Sequence, residues 1–104
     1  MADLTLKKGD KGYALSFPIQ NSDGTVKDLT DYTVNFKVWS QLHPGVLLIN
    51  RACTVTNPSD GLCYYMILAG DFNLSGIFIF ELELAKSGVV ESSESYTLQV
   101  LEGG

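Results

Sequence analysis

One histidine, two cysteines, one tryptophan and seven basic side chains among 104 residues leave this sequence with few of the groups that most enzymes use. A hydrolytic triad needs a base held by a buried acid. The single histidine, His43, lies in the turn segment Gln41-Leu42-His43-Pro44-Gly45 with no acid or nucleophile in register nearby, and reads as an exposed turn residue. The seven basic residues face 12 acidic ones, a net charge of −5. That balance argues against nucleic acid, because phosphate binding needs a basic face to displace counterions. It disfavours an anionic membrane surface for the same reason. No apolar run approaches the ~18 residues of a membrane-spanning helix. Met1-Ala2-Asp3 opens no basic-then-apolar leader, so the expectation is a chain made and kept in the cytosol unless something else carries it out.

The two cysteines, Cys53 and Cys63, flank the turn Asn57-Pro58-Ser59-Asp60-Gly61. If Val55 faces Cys63 across that hairpin, Cys53 faces Tyr65, and the cysteines are diagonal neighbours roughly 7–8 Å apart at the backbone. That exceeds comfortable disulfide geometry. Two free thiols packed as small hydrophobes are expected, as suits a reducing compartment.

What the sequence does have is alternation. Tyr13–Ile19, Tyr32–Val38 and Phe78–Leu84 each alternate apolar and polar residues at the two-residue strand period, with Asp-Gly or Ser-Gly turn signals near them. Val34, Phe36 and Val38 are assigned to one face, and Asn35, Lys37 and Trp39 to the other. Phe78, Phe80, Leu82 and Leu84 point inward, as do Tyr96, Leu98 and Val100 of a closing strand from about Val89 to Leu101. Leu4–Lys7 reads as a short first strand, Val46–Ile49 and Ala52–Val55 as one bent or two short strands, and Leu62–Leu68 as a hairpin partner. Pro18 marks an edge or a bulge, and Leu29 a loop residue plugging the core. The crossover Ala69–Ser75 is expected to contain one helical turn capped by Asp71, with no other helix. The sum is a single domain over residues 1–104, an immunoglobulin-like sandwich of two antiparallel sheets with seven or eight strands.

No catalytic, metal-binding or cofactor-binding constellation emerges, and the chain is read as a non-enzyme. Asp71-Phe72-Asn73-Leu74-Ser75-Gly76 places oxygen side chains at positions 1, 3 and 5 of a calcium loop with Gly at 6, but position 12 is Leu82 instead of a carboxylate. Asp23, Asp28 and Asp31 read as solvated turn residues. Glu81 and Glu83 share an outward face without a cleft to make them a glycosidase pair. Trp39, Tyr64, Ile77 and Ile79 are left over once the core is filled. Either loops cover them, or they form a partner surface, as clustered exposed aromatic and aliphatic side chains do.

Read in order, Leu15-Ser16-Phe17-Pro18-Ile19, Asp23-Gly24, Asp28-Leu29-Thr30-Asp31-Tyr32-Thr33-Val34-Asn35-Phe36-Lys37-Val38, Asp60-Gly61, Gly76-Ile77-Phe78 and Glu81 resemble the immunoglobulin-like N-terminal domain of the phage baseplate upper protein family. The resemblance runs from about Leu4 to Leu101. It departs at Asp31, where the family usually has Gly, and at Phe78, where it usually has Tyr. It implies a structural module of a phage or prophage tail, made in the bacterial cytoplasm and carried in the virion. Such a module docks copies of itself or neighbouring baseplate proteins and assembles as an oligomer. The alternative on the same fold is a host-surface module binding carbohydrate or a protein receptor through Trp39, Tyr64 and Tyr65.

Overall fold

The computed structural model describes residues 3–21, 23–93 and 95–102; Met1, Ala2, Ser22, Glu94, Gly103, Gly104 and the side chains of His43 and Pro44 lie outside the described residues, the expectation for His43 among them. The strands are β1 (Leu4–Lys7), β2 (Ala14–Pro18), β3 (Thr33–Ser40), β4 (His43–Ala52), β5 (Thr54–Asn57), β6 (Leu62–Met66), β7 (Gly76–Lys86), β8 (Val89–Ser92) and β9 (Tyr96–Leu101). They form two sheets: a large one in the order β1-β9-β7-β3-β4, with β8 beside the far half of β7, and a small one in the order β2-β6-β5. The protein is an all-β, immunoglobulin-like sandwich.

The strongest alternation lies at the centre of the large sheet, where β3 and β7 pair antiparallel from Thr33↔Ala85 to Ser40↔Phe78. Val34, Phe36 and Val38 of β3 and Phe78, Phe80, Leu82 and Leu84 of β7 are all buried, as their parity requires. Rings from both sheets meet between them: Phe36 stacks on Phe17 of β2 at 5.5 Å and on Tyr65 of β6 at 4.7 Å, and contacts Phe80 at 5.6 Å. Such offset pairs add about 0.5–1.5 kcal/mol each beyond area burial. Leu29 closes one end of this core from its loop, and Pro18 ends β2 at the edge of the small sheet.

Four features depart from the sequence reading. There are nine strands among the described residues instead of seven or eight; the 46–55 segment takes the two-strand form the sequence left open, with its strands in different sheets. The chain changes sheet at Cys53, whose N–H donates to the Val34 carbonyl over 2.7 Å. The closing strand is also divided, since β7 is long enough to pair β9 through Gly76–Phe80 and β8 through Glu83–Lys86. At the break Ser93 continues the ladder: its Oγ accepts from Leu82 N–H, and its own N–H donates to the Leu82 carbonyl, both over 2.9 Å.

The pairing of β1 with β9 is parallel, from Leu4↔Leu98 to Lys7↔Leu101, so the large sheet is not wholly antiparallel. Finally, the crossover 69–75 has no helical turn, because the Asp71 carboxylate is drawn to Tyr65, Arg51 and the Leu68 N–H and caps nothing. A 3-10 turn occurs instead at Pro58–Asp60, where Pro fixes φ at the first position and Gly61 closes the turn in the left-handed region at φ 68°.

Candidate association surface

The outer face of the large sheet is divided by chemistry. In its polar half Lys37 lies opposite Glu81, and its Nζ reaches Glu83 at 2.6 Å. Ser95 Oγ donates to Glu81 over 2.6 Å. The two carboxylates that alternate along β7 are thus matched by a cation and a hydroxyl on a sheet surface, as expected for a solvated face. In the apolar half Trp39 has Ile79 of β7 on one side and Leu47 of β4 on the other. Ile79 continues to Thr97, and Ile77, two residues along β7, lies opposite Gln99. Directly paired side chains on one sheet face have Cβ atoms about 4.5–5.5 Å apart, so Leu47, Trp39 and Ile79 form one continuous strip.

Three of the four leftover residues therefore come together. Trp39 and Ile79 are half-buried and Ile77 is exposed. Tyr64 is not with them: it stands on β6 between Ser16 and Thr54, on the outer face of the small sheet. Tyr65 points the other way, into the core. Trp39, Tyr64 and Tyr65 thus form no shared aromatic platform.

The sequence reading missed the β3–β4 hairpin tip. Leu42 is 83% exposed, Val46 55%, Leu47 46% and Leu48 48%. Within Val46-Leu47-Leu48-Ile49 only Ile49 is buried, because a bulge between Val38↔Ile49 and Trp39↔Leu47 breaks the alternation. An unbroken apolar run cannot be sorted into faces by parity. Its length and its place beside a turn were the available signal.

The ionisable clusters elsewhere are internally satisfied. Asp71, its side chain only 3% exposed, accepts from Tyr65 Oη over 2.5 Å and from Leu68 N–H over 2.9 Å, and pairs with Arg51. Ser75 donates to Glu102 over 2.7 Å, so the oxygens of the calcium-like segment face different partners. Asp23 and Asp28 each accept from the N–H and hydroxyl of the threonine two residues on, closing local turns. Among the described residues no group of three or more His, Cys, Asp or Glu is placed to hold a metal ion.

A cleft of about 360 Å³ between the sheet edges is lined by Ile19, Gln20, Lys27, Leu84 and Glu91, among others. Its charges are paired: Lys27 meets Glu91 at 3.0 Å and, with Lys86, flanks the Tyr32 ring. The Glu91 hydrogen bond holds the Lys27 ammonium above its usual value.

Val55 faces Cys63 as the hairpin reading expects, and both cysteines are free. The neighbouring Cys63 thiol and burial push the Cys53 thiol up. Cys63 also donates to the Phe17 carbonyl over 3.6 Å.

No protein-family model and no curated protein sequence matches this chain. Among solved structures it is similar to CopC from Methylosinus trichosporium OB3b, with a TM-score of 0.58 and 8% identity, covering 100% of this chain and 88% of that one. At that identity the likeness concerns the β-sandwich fold alone.

Proposed function

We propose that this protein is a non-enzymatic structural module of a phage or prophage tail or baseplate, acting by protein–protein association during virion assembly. The ordered resemblance between Leu15 and Glu81 supports the phage assignment. The observation that carries the mode of action is the uncharged strip Leu47–Trp39–Ile79, with Ile77 beside it, on the outer face of the large sheet. Apolar and aromatic side chains left contiguous on a small domain mark association surfaces. Surface complementarity with neighbouring tail proteins or with further copies is the whole of its chemistry, and no substrate is turned over.

The test is compositional. Particles purified from the source strain after prophage induction are analysed by mass spectrometry and labelled with gold-conjugated antibody against this chain. The reading expects the chain in the particles and the label at the tail tip. Tailed particles that lack the chain, from cells that express it, contradict the reading.

A further inference from the structure

We infer that the free edge of β4 pairs with the β4 edge of a second copy, joining two large sheets across a twofold axis. This deepens the association reading above and rests on it for biological meaning. The edge is long and open: β4 spans ten residues and is bonded to β3 on one side only, at the end of the large sheet. Natural sheet edges are usually protected by charges, covering loops or short length, since unpaired N–H and C=O groups recruit other strands. Here three consecutive aliphatic residues, Val46, Leu47 and Leu48, are each about half exposed, with Leu42 more exposed still in the adjoining turn. Consecutive exposed apolar residues are a folding and solubility liability unless something covers them.

Charge selects the occupant. From Val38 through Asn50 the chain carries no Asp, Glu, Lys or Arg, although it has 19 such residues elsewhere. Two copies of a net −5 protein repel one another over most approaches. The hairpin arm is the longest stretch on which they can meet without like charges. The segment is also self-complementary at its centre in an antiparallel pair: with the axis at Leu47, Leu47 faces its own copy and Val46 faces Leu48, so the three exposed aliphatic residues meet one another, with Gly45 facing Ile49 beside them. A twofold interface requires this property, because each residue meets its counterpart's reflection in the register. The ten-residue β4 edge is about 30 Å long at roughly 3.4 Å per residue. A single pair of edge strands of that length and about 10 Å wide covers well under the ~800 Å² per partner of a standard interface, and the expected dimer is a weak, reversible one.

Sedimentation equilibrium of the full chain over a concentration series tests the inference. The expected result is a reversible monomer–dimer equilibrium that Val46→Lys and Leu48→Lys each weaken at least ten-fold. Tyr64→Lys, on the outer face of the other sheet, leaves it unchanged. Circular dichroism melts check that each variant remains folded. A bis-maleimide cross-link across Leu47→Cys, in a Cys53→Ser and Cys63→Ser background, should trap the dimer in the predicted register. A strictly monomeric wild type at high concentration overturns the inference. So does a dimer that the edge variants leave intact. The two readings fail separately: a monomer found in tail particles leaves the proposed function standing, and an edge-paired dimer absent from particles does the reverse.

Discussion

Tyr65 donates its hydroxyl to the Asp71 carboxylate over 2.5 Å, fastening the middle strand of the small sheet to the crossover that leads into the large one. Arg51, on β4, donates to both partners, reaching Tyr65 at 3.0 Å. The triad therefore links both sheets and the loop between them.

This linkage predicts a pH dependence. Burial pushes the Asp71 carboxyl up, but the Tyr65 hydroxyl, the Leu68 N–H and Arg51 outweigh it and hold the group below the ordinary aspartate value. Because the folded value is the lower one, ionised Asp71 stabilises the fold fully above the unfolded value and loses that contribution as pH falls through the folded one. Asp71→Asn should cost about 1–3 kcal/mol at neutral pH and flatten the acid limb of a stability profile measured by urea unfolding. On the alkaline side, burial and the Asp71 hydrogen bond push the Tyr65 hydroxyl up to about 12. Its neutral form stabilises the fold below the ordinary tyrosine range, and this is lost as pH rises through the raised value.

Gly61 is the most tightly enclosed of the described glycines. A Cβ there would stand 2.6 Å from the Lys27 carbonyl oxygen and 2.7 Å from that of Ile19, at a φ of +68°. Both oxygens belong to backbone that is itself hydrogen-bonded, since Ile19 N–H donates to Gly61 O over 2.8 Å and Lys27 N–H to Ile19 O over 3.1 Å. Gly61→Ala should therefore destabilise by about 2–4 kcal/mol, combining backbone strain and overpacking. A thermal melt reads this directly, and Gly24→Ala, whose Cβ meets open space, provides the strain-only control.

Asp31 is a non-glycine residue in the left-handed region, at φ 66°. It is also the position where the resembled family usually carries Gly. Asp tolerates this conformation better than most residues but still at a cost. Asp31→Gly should be neutral to stabilising, by up to about 1 kcal/mol after the added flexibility of the unfolded chain is subtracted. Asp31→Val should destabilise by about 1–2 kcal/mol. Paired chemical unfolding curves give both values.

The parts of the fold visible in the sequence are those governed by local parity. Val34, Phe36 and Val38, and Phe78, Phe80, Leu82 and Leu84, are placed on the inner face by the sequence because the side-chain period of a strand is two, whatever the strand pairs with. The division of the last strand was not visible, because it depends on Ser93 meeting Leu82 across the sheet. The parallel docking of β1 on β9 likewise has no local signal. The candidate surface was legible in the same uneven way. Elimination from the core singles out Trp39, Ile77 and Ile79. Elimination does not say which sheet a residue belongs to, so Tyr64 was grouped with them although it lies on the other. Leu47 and Leu48 were hidden by the bulge that sets them out of phase.

Trp39 is the sole tryptophan and sits in the strip on which the account depends. Its fluorescence therefore reports on that surface alone. Titrating the protein with purified tail particles should shift Trp39 emission to shorter wavelength and reduce iodide quenching as the strip is covered. Binding detected independently, with Trp39 emission and quenching unchanged, would contradict the claim that this face is where the protein associates.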